Sequence, residues 1–292
     1  MQYIEKKNYI IPLKTKAQYF QFNDANISKE YEIFEEYIDF DPEHEKNLHS
    51  GNFILDRYSD IKSYQHNIVN ISSGNGYINA SPINIMTNKY FISTQGPKNE
   101  TVKDFWTMVD EHNCNVIVML CKEKEGFAEK CATYWDSKRK MQNYQIQVKS
   151  FKNENYYIIR NIALINNYTK VEKNIKQIHL TCWPDHGVPD TRDGIIFDVF
   201  SQMIKFADEN KKDGPIVVHC SAGVGRTGTF ISMYFLEKEI IKQINDNRKE
   251  IKFNIFNLVR KMKEMRLFSV QTVSQYQFIY LFVNYLLNKY NK

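Results

Sequence analysis

Apolar and polar positions alternate along this chain with two different periods, and the changes of period mark out its elements. The start is weakly patterned: residues 1–28 are polar and irregular. Ser28 then precedes a run with Tyr31 and Phe34 on one side, which predicts a helix capped by Ser28. Short runs of β-branched and aromatic residues predict strands around Ile68–Ile71, Gly76–Ile83 and Lys89–Gln95. Thr101–His112 reads as a helix, because Val102, Phe105, Trp106 and Val109 fall on one face. Val116–Leu120 is apolar throughout, the pattern of a strand covered on both faces. A charged loop, Lys122–Lys130, follows it. Alternation resumes in Tyr144–Phe151, Tyr156–Leu164 and Lys176–Thr181, which predicts three more strands. Helical patterns cover Gly194–Ala207, Arg226–Ile244, Asn254–Met265 and Thr272–Asn288, and a short apolar strand, Ile216–Val218, precedes the second of them.

Early strands followed by strand–helix units, with no repeat and no Pro/Gly/Ser-rich linker, predict one α/β (α+β) domain built on a mixed sheet. Its expected span is 29–292, with 1–28 as an N-terminal extension. Composition changes this picture little, since 42% hydrophobic and 25% charged residues are ordinary for a globular chain. The net charge of +5 comes from 39 basic and 34 acidic residues spread along the chain. Without a dense Lys/Arg tract it points away from nucleic acid, while remaining compatible with acidic or phosphorylated partners. The five cysteines form an odd set with no C-x-x-C pair, so neither a disulfide framework nor a zinc knuckle is expected. No metal or other cofactor is called for, and a reducing, cytoplasmic setting is the natural expectation. Charges stand at the N-terminus where a signal peptide needs an apolar run. Gln2 stands where N-myristoylation needs glycine. Phe278–Leu287, broken by Asn284, is too short to span a bilayer. A monomer is expected.

The chemistry concentrates in Pro215–Phe230, P-I-V-V-H-C-S-A-G-V-G-R-T-G-T-F. A buried strand ends at Cys220, and a loop of small residues leads to Arg226 at the start of a helix. In Ser221, Ala222, Gly223 and Gly225 the side chains are small enough for successive backbone N–H groups to turn inward. Such a ring, closed by a helix N-terminus, binds a multiply charged oxyanion. The same field favours thiolate over thiol, and cysteines in such places titrate at ~3.5–7.5. The planar fork of Arg226 can hold two phosphate oxygens. No Lys followed by Ser/Thr is present after the last glycine, so this is not a Walker loop.

A thiolate that attacks a phosphate ester needs an acid for the leaving oxygen and then a base for water. Asp185, in L-T-C-W-P-D-H-G-V-P, can serve both steps, with Trp183 and Pro184 bracing one side of its loop and Gly187 hinging the other. The same residues also make a good turn, Pro-Asp-x-Gly. His219 should point away from the thiol, because neighbours on a strand face opposite sides. Thr227 can hydrogen-bond the Cys220 sulfur. Gln271, at a helix start, can position the attacking water or simply cap the helix. Tyr58 can wall a pocket and stack on an aromatic ring, although the chain has 19 tyrosines from which to choose.

Together these segments resemble the cysteine-based protein tyrosine phosphatases, in the tyrosine-specific, non-receptor-like branch. The resemblance runs from about Glu30 to the C-terminus. It rests on V-H-C-S-A-G-V-G-R-T-G and W-P-D-H-G-V-P, on Tyr77-Ile-Asn-Ala-Ser81, Ile92-Ser-Thr-Gln-Gly-Pro97 and Asp104-Phe-Trp106, and on Lys130-Cys-Ala-Thr-Tyr-Trp135 and Gln271-Thr-x-x-Gln275. It implies the phosphatase fold, a highly twisted mixed sheet flanked by helices. It also implies a signalling enzyme that hydrolyses tyrosine-phosphorylated proteins through a phosphocysteine intermediate. Cys220 would be the nucleophile and Asp185 the general acid and then base. Arg226 and the backbone of 221–225 would bind phosphate. Gln271 would place the water, with Gln275 assisting. Tyr58 would set pocket depth, and Asp60 would hold the substrate backbone.

Departures from the family pattern are few. L-D-R-Y replaces K-N-R-Y, so Leu55 and Asp56 change the rim. Asp136 follows Trp135 where Pro is usual. Lys263 stands where Arg is frequent, although Arg266 is kept. Either Glu123 or Glu125 is the family's loop glutamate. Two other readings stay open. A catalytically weak phosphotyrosine-binding relative would be expected to lose Cys220, Arg226 or Asp185. A dual-specificity or phosphoinositide phosphatase would be expected to lack the Tyr58 segment or to carry Lys within the loop.

Overall fold

The structure is a computed structural model, and it describes residues 9–12, 24–73, 76–86, 89–184 and 187–290. Most of the expected extension 1–28 lies outside these residues, and so does Asp185. Strand β1, Tyr9–Pro12, is followed by helix α1, Asp24–Phe34, which runs on as a π-helical turn over Glu35–Asp39. Short α2, Pro42–Lys46, is capped by Asp41, whose side chain accepts the Glu43 N–H. Then come β2 (Ala80–Met86), β3 (Lys89–Thr94), α3 (Val102–Glu111), β4 (Val116–Met119), β5 (Lys124–Glu125), β6 (Ala128–Glu129), β7 (Tyr144–Asn153), β8 (Tyr157–Asn166) and β9 (Glu172–Leu180). The chain closes with α4 (Ile195–Asn210), β10 (Ile216–His219), α5 (Gly225–Asn245), β11 (Glu250–Phe253), α6 (Ile255–Met265) and α7 (Val273–Tyr290).

Seven strands form one mixed sheet in the order β2-β3-β10-β4-β9-β8-β7. The inner pairs β3–β10, β10–β4 and β4–β9 are parallel, and β2, β8 and β7 pair antiparallel at the flanks. The mixed sheet inferred from the sequence is therefore found. Every residue of β4 and β10 is buried, as their unbroken apolar runs require. Each such Val or Ile contributes about 1.5–3 kcal/mol relative to exposure. Helices α4 and α5 pack on these strands, and α1 and α5 pack on α7.

Four expectations change. Helix α1 begins at Asp24, so Ser28 lies inside it and is not its cap. Asp24 there supplies the negative charge that a helix N-terminus favours. Ile68–Ile71 forms only a single bridge, Asn70 to Tyr77. The charged loop after β4 folds back on itself as the β5–β6 hairpin. Tyr9–Pro12, expected to be irregular, pairs antiparallel with β11. Only the last depends on a distant segment, whose pairing overrides a weak local pattern.

The sheet places the site. In the parallel register His219 lies beside Thr94 of β3 on one side and Met119 of β4 on the other. The nucleophile loop therefore leaves the carboxyl end of a central strand, where open α/β sheets bind ligands. Among the described residues no helix is long and apolar enough to cross a membrane.

Candidate active site

The nucleophile loop is shaped by where its carbonyls go. The Ser221 carbonyl accepts the Gly96 N–H (2.9 Å). Those of Ala222 and Gly223 accept Arg266 (3.2 and 2.7 Å), and Gly223 also takes the Ser93 hydroxyl (2.9 Å). The Val224 carbonyl takes the N–H groups of Gly228 (2.8 Å) and Val270 (3.2 Å). Each carbonyl is turned outward onto a donor, so the N–H groups on the opposite side of each peptide face the cradle. One of them, that of Gly223, donates to the Cys220 sulfur at 3.3 Å. Gly223 must be glycine: its φ is +74°, and a Cβ would lie 2.2 Å from the Thr94 carbonyl oxygen.

Arg226, at the start of α5, is held rather than loose. Its two Nη atoms donate to Glu125 Oε1 (2.5 Å) and Oε2 (2.9 Å), and Nη2 also reaches the Pro184 carbonyl (3.0 Å). Burial works against its charge, but the Glu125 carboxylate together with Cys220 and Cys121 outweighs burial and raises the guanidinium above its ordinary value. Glu125, and not Glu123, is thus the glutamate that grips the arginine. It sits on the buried side of β5, and the Lys122 N–H fixes its Oε1 at 3.1 Å. The Pro184 contact ties the arginine to the loop that carries Asp185. The base of that loop is closed by Trp183, whose indole N–H reaches the Gly187 carbonyl (3.1 Å) and whose ring packs on Phe200 and Phe278.

Behind the loop lie groups whose roles the sequence does not announce. Arg266 is fully buried and uses all five N–H donors: Nε on Gly223, Nη1 on the Ser63 and Ser81 hydroxyls (3.0 and 3.2 Å), and Nη2 on Asn79 Oδ1 (2.8 Å) and Ala222. Burial lowers it to about 10, against the pull of Tyr77, Cys220 and Asp56. The amide of Asn79 donates in turn to Asp56 Oδ1 (3.0 Å), which also takes the Tyr77 hydroxyl (2.6 Å), while Oδ2 takes the Asn52 N–H (2.7 Å). Asp56 therefore does more than alter the rim; it links the Tyr58 segment to the brace of the nucleophile loop. His219 points away from the thiol, as strand alternation requires. Its ring packs on Phe105 and Tyr134, and burial pushes it down to about 3. The neutral ring fixes a relay. The Gln177 amide donates to the Tyr134 hydroxyl (2.6 Å), that hydroxyl donates to His219 Nε2 (2.9 Å), and His219 Nδ1–H donates to the Cys220 carbonyl (3.1 Å). Thr227 does not reach the sulfur. Its buried Oγ1 has no hydrogen-bond partner among the described residues.

The remaining candidates meet around a pocket of ≈ 340 Å³. Tyr58, Asp60, Cys220, Ser221, Ala222, Gly225, Arg226, Gln271 and Gln275 line it, with Gly223 and Val224 completing the loop behind. The Ser221 hydroxyl donates to the Lys130 carbonyl (3.0 Å), so Tyr58 is the donor in its 2.8 Å bond to Ser221 Oγ. That bond fixes the tyrosine wall to the loop below it. Gln271 offers its backbone N–H to Gln275 Oε1 (2.9 Å). A Cβ on Gly225 would meet both polar atoms of the Gln275 amide at 2.9 Å, so glycine is needed for this approach. The pocket combines an anion cradle with a thiol at its base, one fixed guanidinium and an aromatic wall. Such a site can bind an aryl phosphate dianion with its phosphorus above a nucleophile.

Comparisons with known proteins agree with this geometry. Residues 52–285 match the sequence model of the Protein-tyrosine phosphatase family. The chain is 37% identical over 240 residues to human tyrosine-protein phosphatase non-receptor type 20, covering 80% of this chain and 54% of that protein. It is 38% identical over 216 residues to tyrosine-protein phosphatase 2 of Dictyostelium discoideum, covering 73% and 55%. The chain thus spans about half the length of these curated relatives. The catalytic domain of human protein tyrosine phosphatase non-receptor type 18 superposes with a TM-score of 0.72 at 26% identity, over 90% of this chain and 94% of that one. Motif order, loop geometry and similarity over most of its length lead to one assignment: the chain belongs to the protein-tyrosine phosphatase family.

Proposed function

We propose that the chain hydrolyses phosphotyrosine in proteins through a cysteinyl-phosphate. The Cys220 thiolate attacks phosphorus, the P–O bond to tyrosine breaks, and Asp185 gives its proton to the leaving oxygen. Water, placed by Gln271, then attacks phosphorus. The P–S bond breaks, sulfur leaves as thiolate, and the proton of water passes to the Asp185 carboxylate. Inorganic phosphate is the product. The inward-facing N–H groups hold the equatorial oxygens in both steps, and the positive charge of Arg226, fixed by Glu125, binds the phosphate beside them. Tyr58 and Asp60 receive the tyrosine ring and the peptide backbone. The observation that carries the reading is the Cys220 sulfur under the loop N–H groups, beside an arginine already fixed by Glu125.

Protein-borne phosphotyrosine as substrate is supported by the family and by its neighbour non-receptor type 18, solved in complex with HER2 phosphopeptides. A free thiol nucleophile suits a reducing, cytoplasmic setting and a signalling role, and the chain is read as acting as a monomer. The test is turnover of a phosphotyrosyl peptide beside two variants. Cys220→Ser should abolish it. Asp185→Ala should slow kcat while leaving KM nearly unchanged, giving a complex that traps substrate. Equal, negligible turnover by the parent and Cys220→Ser would sink the enzymatic reading.

A further inference from the structure

The turn from Arg266 to Gln271 joins α6 to α7 and ends on the side chain read above as placing water. Two of its residues occupy the left-handed region although neither is glycine: Phe268 (φ 61°) and Val270 (φ 60°). For a β-branched residue this conformation persists only where the surroundings impose it. Val270 is fully buried, and its N–H is held by the Val224 carbonyl of the nucleophile loop. Its carbonyl accepts the Tyr31 hydroxyl at 3.1 Å and the Lys263 ammonium at 3.3 Å.

Lys263 in turn pairs with Asp39 at 2.6 Å, both side chains being buried. The ammonium also lies 5.5 and 5.4 Å from the ring centroids of Tyr31 and Phe34. Burial opposes both charges, raising Asp39 and lowering Lys263, and their attraction offsets only part of it. Asp39 Oδ1 makes no close hydrogen bond among the described residues, although a weaker backbone contact from Phe268 also favours the ionised carboxylate. Buried pairs with an unsatisfied oxygen are weak sources of stability, which argues that this one serves to place something. Tyr31 and Asp39 precede residues 52–285, the part that matches the family.

We propose that Tyr31, Asp39 and Lys263 are positioning residues for hydrolysis of the cysteinyl-phosphate, acting through the Val270–Gln271 peptide. The inference rests on the reading of Gln271 given above. One rigid plane holds the Val270 carbonyl and the Gln271 N–H. Tyr31 and Lys263 pin it at the oxygen, and Gln275 pins it at the N–H. The tilt of this plane sets the direction in which the Gln271 side chain leaves the backbone. Formation of the intermediate uses Cys220, Arg226 and Asp185 and does not need Gln271. Loosening the plane therefore slows the second step and spares the first.

Rapid mixing with p-nitrophenyl phosphate resolves the two steps, because p-nitrophenolate appears with the first. Tyr31→Phe keeps the ring and removes only the hydroxyl. It should form the intermediate at the parent rate and hydrolyse it about fivefold more slowly, the rate equivalent of one net hydrogen bond. The paired exchange Asp39→Asn with Lys263→Gln removes both charges without stranding either, and should act in the same direction. Gln271→Ala is the control. If it slows hydrolysis and the other variants do not, or if they slow both steps equally, the positioning role is overturned. If Gln271→Ala leaves hydrolysis at the parent rate, the reading of Gln271 fails and this inference falls with it.

Discussion

Replacing Arg266 by lysine should disable the nucleophile loop without touching a residue that contacts substrate. The guanidinium serves five acceptors from three nitrogens. An ammonium has three donors on one atom, so at least two acceptors lose their partner. The structure indicates which two. Gly223 keeps the Ser93 hydroxyl, and the Ser63 and Ser81 hydroxyls already bond each other at 3.0 Å. The Ala222 carbonyl and Asn79 Oδ1 have no second donor among the described residues, so they are the two left unpaired when the ammonium serves the other three. Each buried acceptor left unpaired costs about 1–3 kcal/mol, so the two together cost about 2–6 kcal/mol. Part of this appears as lost stability and part as a loop that no longer holds its N–H groups inward. If about 1.5–3 kcal/mol falls on the loop, kcat/KM drops ~10–100-fold. The assay is kcat/KM on a phosphotyrosyl peptide, with vanadate inhibition as a direct measure of the cradle and urea unfolding to confirm that the variant is folded. A folded Arg266→Lys protein within twofold of the parent in both kcat/KM and vanadate affinity would refute the reasoning.

Two further outcomes follow from other contacts. Glu125→Ala frees Arg226 from its carboxylate and should raise KM for a phosphopeptide and the inhibition constant of inorganic phosphate together, each by about tenfold; unchanged phosphate affinity would show that Arg226 needs no such partner. The second concerns acid stability. His219 and His179 are buried and neutral, pushed down by burial to about 3 and about 4, with Arg160 adding to the effect on His179. Unfolded, both titrate near 6.5, so below that pH the unfolded chain binds protons that the native one refuses. Stability should therefore be full above pH ~6.5 and fall as pH drops toward 4, with a slope of about 1.4 kcal/mol per pH unit for each histidine. Urea midpoints measured from pH 7.5 down to 4.5 should show the fall, and a flat profile would contradict the buried neutral rings.

Much of the site was legible because its chemistry is local. Cys220, the small residues after it and Arg226 lie within one strand–loop–helix unit, so their sequence spacing alone predicts the cradle. The apolar runs of β4 and β10 likewise predict buried central strands, since a strand covered on both faces has no polar side. The N-terminal segment was less legible: the pairing of Tyr9–Pro12 with β11 depends on a partner far along the chain. The choice between Glu123 and Glu125 was closed to sequence for a similar reason. Both are acidic residues of one short hairpin, and only the folded hairpin turns Glu125 inward onto Arg226. Thr227 shows the reverse error, in which nearness in sequence suggested a hydrogen bond that the described residues do not make.

The sequence by itself pointed to the reaction class, because the candidate nucleophile, phosphate grip and acid stand in short motifs that, taken together, resemble one family. Only the tertiary structure decided how those motifs are held. Arg266 and Asn79 brace the loop from behind, Asp56 ties it to the Tyr58 segment, and Tyr31 and Lys263 hold the turn before Gln271. These partners lie up to 239 positions apart. A hydrogen bond depends on distance and direction in space, and neither can be read from the order of residues along a chain.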